Sequence, residues 1–170
     1  MDTTFTDRII LITGATSGIG AACAEAFAVI NAKLILIGRR QHRLEELQNK
    51  LGGEKRVLTI TLDISDTAAT KNALKNLPNP FAQVDVLVNN AGLALGFEPA
   101  QEASLDDWHT MININWCGLV TCTHCILPGM VARNCGHIIN IGSIAGLYPY
   151  PNGNVYSAYL LARAAAFILP

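Results

Sequence analysis

The sequence predicts an α/β protein: a doubly wound parallel sheet with helices on both faces. Three observations point there. Short apolar runs alternate with helix-like segments along the whole chain. The first run passes into its helix through a glycine-rich turn, "TGATSGIG". No linker, repeat or low-complexity stretch divides the 170 residues, so they read as one domain, 1–170, long enough to bury a core.

Each element has a local reason. "RIILIT" (8–13) is a short apolar run closed by glycine, a buried strand, and the alanine-rich "GIGAACAEAFAVIN" that follows is helical. "KLILIG" (33–38) is the second strand. "RRQHRLEELQNKL" reads as a charged amphipathic helix stopped by Gly52 and Gly53. "RVLTITLD" is the third strand, and the helix "SDTAATKNALKNL" starts from a cap at Ser65 or Asp66 and ends before Pro78. "VDVLVNN" is the fourth strand. A loop leads to Ser104 and a long helix through "DDWHTMININWCGLVTCTHCILPGMVAR", which Pro128 is placed to kink or end. "GHIINIGS" is the fifth strand, and a last helix begins near Val155.

Composition narrows the function. Hydrophobic residues make up 51% and charged ones 15%, a core-rich soluble pattern. Twelve basic against thirteen acidic residues leave no field to steer nucleic acid or acidic lipid. Glu25, Asn31, Lys33 and Arg163 interrupt the apolar stretches, so no membrane span is expected. The start "MDTTFTDR" lacks a secretory pattern, and the cytoplasm is the expected compartment. Five cysteines fit a reducing compartment. Cys122 and Cys125 form a C-x-x-C, but no second ligand pair accompanies them, so they read as small residues on a helix and no metal is expected.

The loop carries the first chemistry. Gly14, Gly18 and Gly20 let the backbone turn tightly beside a pyrophosphate, and the helix amino end offers N–H groups to the anion. Thr16 and Ser17 add hydroxyls. The spacing is G-x-x-x-G-x-G, and there is no Walker lysine. After the second strand, where an NAD enzyme usually shows an acidic residue for the ribose 2′-hydroxyl, the chain has Arg39 and Arg40. Guanidinium forks suit a 2′-phosphate, and cations at a helix amino end oppose its dipole unless an anion joins them. The cofactor expected is NADP.

Taken in order, "TGATSGIG", Asp63 of "LDI", "NNAG" (89–92), Asn115 of "NWCG", Ser143 of "IGS" and Tyr156 resemble the short-chain dehydrogenase/reductase family over nearly the whole chain. "NNAGLALGFEPA", "LPGMVARNCGHIINIGSIAG" and "GNVY" resemble, within it, the NADP-dependent 3-hydroxy acid dehydrogenases, which act on serine, allo-threonine and 3-hydroxypropionate. The resemblance implies a Rossmann-like fold and a role for each matching position. Gly14, Thr16, Ser17, Gly18, Ile19 and Gly20 would line the pyrophosphate, and Arg39 and Arg40 would hold the adenosine phosphate end. Asp63 and Ile64 would flank the adenine; Asn90, Ala91 and Gly92 would border the cofactor ribose. Asn115, whose family counterpart sits in a distorted helix, would position a water relay, Ser143 would bond the substrate oxygen, and Tyr156 would exchange its proton. It also implies a small-molecule substrate and subunit contacts through the long helix and the one after Tyr156.

Two departures from the family pattern stand beside these expectations. An unperturbed tyrosine is phenolate in only about one molecule in a thousand at pH 7. The family answers this with a lysine four residues later; here that residue is Leu160. Arg163, seven residues on, returns to the same helical face one turn further along. The resemblance also implies two more strands and a substrate-covering segment beyond position 170, and it fades within a few residues of Tyr156. The expectation is therefore an incomplete domain, truncated after the fifth strand and following helix, with that strand an exposed edge. A non-catalytic NADP-binding remnant is the alternative to an active oxidoreductase.

Overall fold

The computed structural model describes residues 5–148 and 150–163, with backbone alone for 159–163. Five strands form one parallel sheet: β1 (Ile9–Thr13), β2 (Lys33–Gly38), β3 (Val57–Thr61), β4 (Val86–Asn89) and β5 (His137–Asn140). Their order is β3-β2-β1-β4-β5. Chain order therefore reverses direction between β1 and β4, and a crevice opens there at the strands' carboxyl ends. The expected doubly wound sheet is present, and β5 is an edge of it among the described residues.

Alternation along the strands builds two cores. Ile9 and Leu11 of β1, Ile35 and Ile37 of β2 and Leu87 of β4 face one layer, with Leu74, Ile126 and Met130. Ile10 and Ile12, Leu34 and Leu36, Val86 and Val88 face the other, with Ala24 and Leu44. Because side chains alternate with period two, an all-apolar strand feeds both layers at once. Helices α1 (Gly18–Val29) and α2 (Gln41–Lys50) cover the second layer. Helix α3 (Thr67–Lys75) and the long helical run from Leu105 cover the first.

Local chemistry sets the boundaries. Asp66 caps α3, its carboxylate accepting from the Ala69 N–H at 2.9 Å, while Ser65 turns to Asp63 instead. Ser104 caps α4 (Leu105–Ile112), accepting from Asp107 N–H at 3.3 Å. The run then passes through a π-helical turn, Asn113–Gly118, into α5 (Leu119–Ala132). Pro128 lies inside α5 and does not end it. Its missing N–H would have met the His124 carbonyl, on the exposed side of the helix where water can replace it.

Two expectations are corrected here. Arg39 and Arg40 do not lie within the first turn of α2: the helix starts at Gln41, with Arg40 at its N-cap. The Leu105–Ala132 run is 28 residues with a mean hydropathy of 1.3 in its most apolar window, long and apolar enough to cross a membrane by length and composition. Half of that window is buried inside the fold, which accounts for its apolarity as sheet-facing core. The last helix, α6 (Asn154–Arg163), follows a 3-10 turn, Ile144–Gly146.

Candidate active site

A cleft of about 490 Å³ lies over the carboxyl ends of β1, β2 and β4. One wall is the turn after β1. Gly14 has φ +66°, a conformation natural to glycine, and a Cβ there would meet Ala91 Cα at 2.8 Å and the Asn90 side-chain amide at 2.9 Å. Two loops thus close on each other at Gly14, and the chain can only do this without a side chain. Gly14, Thr16, Ser17 and Ile19 line the cleft. Gly18 and Gly20 do not: Gly18 opens α1, and Gly20 is buried against the Gly14 carbonyl.

The opposite wall is the N-N-A-G segment after β4, held by a hydroxyl that sequence reasoning passed over. Thr13 Oγ1 accepts from the backbone N–H groups of Asn90 and Ala91, both at 3.1 Å, and lies 3.4 Å from the Val88 carbonyl. The Asn90 amide donates to the carbonyls of Thr13 (2.9 Å) and Gly14 (3.1 Å). Asn90, Ala91 and Gly92 therefore line the cleft as expected, in a backbone fixed from β1. Beneath them Asn89 donates to Asn140 Oδ1 on β5 (2.9 Å) and to Thr123 Oγ1 on α5 (3.1 Å). This buried polar junction was also missed; its members are far apart in sequence and carry no spacing signal.

The end near β2 is charged. Arg39 and Arg40 both line it. Arg39 lies 3.6 Å from an Asp63 carboxylate oxygen. Asp63 Oδ1 accepts from the Ser65 N–H (3.0 Å) and hydroxyl (2.8 Å). Partial burial alone would raise its pKa; the two Ser65 bonds and the Arg39 charge outweigh that and hold the carboxyl below the usual range. Ile64 lines the cleft with one face and is otherwise core, packed on Gly118 of the π-helical turn.

The reactive end gathers Asn115 and Tyr156. Asn115 is fully buried in the π-helical turn, and its side chain pairs with one residue of the loop after β4: Nδ2 donates to the Leu93 carbonyl at 2.7 Å, and Oδ1 accepts from the Leu93 N–H at 2.8 Å. A side chain clamped in this way fixes the loop, and the water-relay role expected of it has only one lone pair and one N–H left to use. Tyr156 enters from α6, half-buried against Met111 and Ala145. Ser143 follows β5 and caps the 3-10 turn, its Oγ accepting from Ala145 N–H at 3.2 Å. The lining there is Ile141 and Gly142, and Ser143 sits just beyond it. Position 160 is one turn beyond Tyr156 on α6, but the side chains of Leu160 and Arg163 lie outside the described residues.

Cys122 is buried on α5 and Cys125 half-buried, both as free thiols. Burial pushes Cys122 up to about 12 and Cys125 upward as well, so neither is disposed to act as a thiolate ligand.

The model of the short chain dehydrogenase family matches residues 8–162. An NADP-dependent 3-hydroxy acid dehydrogenase of Salmonella typhi is 53% identical over 150 residues, 88% of this chain and 60% of that protein. Sulfoacetaldehyde reductase 2 of Chromohalobacter salexigens is 50% identical over 151 residues, with the same coverage. The closed form of a serine dehydrogenase complexed with NADP+ superposes with a TM-score of 0.87 at 50% identity, covering 91% of this chain and 62% of that one. The chain thus spans about 60% of the length of the curated relatives it matches. A family match over nearly the whole chain, with half the residues shared with such relatives and a closely superposing structure, is common descent, and the chain belongs to the short chain dehydrogenase family.

Proposed function

We propose that the protein is an NADP-dependent oxidoreductase of small 3-hydroxy acids or their 3-oxo counterparts. The observation that carries this is one cleft holding the glycine turn at its middle, Arg39 and Arg40 at one end and Tyr156 at the other. When bound, NADP(H) supplies or takes the hydride. The turn and the α1 amino end meet the pyrophosphate, and the arginine end of the cleft meets the adenosine phosphate. Asp63 and Ile64 flank the adenine, and Asn90, Ala91 and Gly92 border the ribose. Tyr156 gives its phenolic proton to the oxygen being reduced, or takes it back in oxidation, and Ser143 bonds that oxygen. The substrate class comes from the named activity of the Salmonella relative, and the cofactor from that relative and the NADP+ complex.

A second reading has its own observation. Leu160 stands where a cation would favour phenolate, so the chain binds NADP and turns over slowly or not at all. The test separates them. NADPH fluorescence titration measures binding; oxidation of serine and 3-hydroxypropionate followed at 340 nm measures turnover. Binding with turnover that Tyr156→Phe abolishes supports the first reading. Binding without turnover supports the second, and no binding overturns both.

The same reading makes the protein a soluble cytoplasmic enzyme with a small-molecule substrate and neither a nucleic-acid nor a membrane partner. It also makes the protein a homo-oligomer. Trp116, Val120 and Val131 lie exposed along the long helical run, and Val120 and Val131 are eleven residues apart on one face.

A further inference from the structure

Arg39 and Arg40 are adjacent in sequence and both line the cleft, yet they do different things there. The Arg39 guanidinium faces Asp63 across 3.6 Å at the adenosine end. Arg40 turns the other way, onto the glycine turn. Its Nε and Nη2 both donate to Thr16 Oγ1, at 3.2 and 2.8 Å, and Nη2 also reaches Ser17 Oγ at 2.9 Å and the Thr16 carbonyl at 3.4 Å. We propose that Arg40 is a positioning residue of the pyrophosphate turn, serving NAD and NADP alike, and not a clamp on the 2′-phosphate. The inference rests on the cofactor reading above.

The hydroxyl chemistry carries it. A hydroxyl has one proton to donate and two lone pairs to accept with. Arginine only donates. With Nε and Nη2 on its oxygen, Thr16 Oγ1 has both lone pairs occupied, so its remaining capacity is to donate its own proton. Its next partner must be an acceptor, and a phosphate oxygen is the acceptor this turn is shaped for. Ser17 points the same way. It is the N-cap of α1, where a serine oxygen ordinarily accepts from a helix N–H, yet it makes no side-chain cap bond and accepts from Arg40 instead. The first N–H groups of α1 are thereby left without a side-chain cap, at the positive end of the helix dipole. Gly38 completes the arrangement: a Cβ there would meet Thr16 Cγ2 at 2.6 Å, so the methyl lies over bare backbone and the hydroxyl stays turned toward Arg40.

The test is a titration of the full chain with NAD+ and with NADP+, by calorimetry, for wild type, Arg40→Met, Arg39→Met, Thr16→Val, and Arg40→Met with Thr16→Val. Both arginines are exposed, and neither contributes to the core. Losing charge-assisted bonds of this kind lowers affinity by about tenfold or more. Arg40→Met is expected to weaken both nucleotides by that factor and leave their ratio as in wild type. Arg39→Met is expected to narrow the ratio and leave NAD+ unchanged. Thr16→Val should weaken both, and the double variant should lose little beyond Arg40→Met alone, because the two side chains act as one unit. Arg40→Met weakening NADP+ alone would overturn the proposal and make Arg40 a direct clamp on the 2′-phosphate, as would fully additive losses in the double variant. Wild type binding neither nucleotide would overturn the cofactor reading itself, and this inference with it.

Discussion

At the scale of single residues, burial and partners decide which groups react. Cys122 is buried in the first core layer and its pKa is pushed up to about 12, whereas Cys135 is exposed. A thiol reagent at pH 8 is therefore expected to label Cys135 quickly and Cys122 only after unfolding; early labelling of Cys122, read by peptide mass mapping, would contradict its placement. The sign of the pH effect follows. The unfolded thiol ionises near 9 and the folded one near 12, so between those values the unfolded state has lost a proton that the native state keeps. This group's contribution is whole below pH 9 and falls as pH rises, by about 1.4 kcal/mol per pH unit. Denaturation midpoints measured from pH 8 to 10.5 should show a fall that Cys122→Ala makes shallower. Tyr156 poses the opposite problem, a phenol needing a charge nearby. Leu160→Lys adds an ammonium one helical turn away, and oxidation of 3-hydroxypropionate is expected to rise about tenfold or more, the scale of a charge favouring the ionised form by one pKa unit. An unchanged rate would mean that the missing cation is not what limits this chain.

At the scale of elements, the clearest lesson is the long helix. The composition of "MININWCGLV" is ordinarily helical, and only the family resemblance, through Asn115, implied the distortion that the structure shows as a π-helical turn at Asn113–Gly118. What makes the turn informative is tertiary: it carries Asn115 beneath Leu93, where the side-chain amide bonds both the N–H and the C=O of that loop residue. Asn115→Leu removes both bonds to the half-buried backbone of Leu93, each worth about 0.5–1.5 kcal/mol. A lower urea midpoint together with weaker NADP+ binding is the expected result, since Leu93 and its neighbours line the cleft. A variant as stable as wild type would show that the loop does not depend on this clamp. The cap of α3 gives a control of known size. Asp66 is not itself part of the cleft lining, so Asp66→Ala, which removes the bond to Ala69, should lower stability by about 1 kcal/mol while leaving nucleotide affinity unchanged. Caps were partly legible from sequence because they are local: Ser104 stands where the helix after the loop was expected to begin. The start of α2 was not, because Arg40's side chain is drawn away by Thr16 and Ser17, which lie more than twenty residues earlier.

At the scale of the whole molecule, the sheet was legible because it is written in local patterns: five apolar runs, each followed by a helix, with a glycine turn after the first. The cleft was legible only as a set of positions, since their meeting depends on strand order. Its supports were not, because Thr13, Asn89, Thr123 and Asn140 join by long-range bonds that leave no spacing in the chain. Those bonds have a consequence for stability. The cleft lies where β1 meets β4, so its walls come from the two halves of the sheet, β1–β3 with the glycine turn and β4–β5 with the N-N-A-G segment. A nucleotide spanning it contacts both halves at once and binds the native state alone, which stabilises by about 2.7 kcal/mol at a hundred times the dissociation constant. NADP+ is therefore expected to raise the melting temperature in a single cooperative transition, the shift growing with the logarithm of its concentration. NAD+ at the same concentrations should give a smaller shift, because Arg39 then has no 2′-phosphate to meet. Differential scanning calorimetry with each nucleotide makes the comparison. Equal shifts would remove the case for NADP preference, and a transition that splits in two would show that the halves of the sheet are not held together across the cleft.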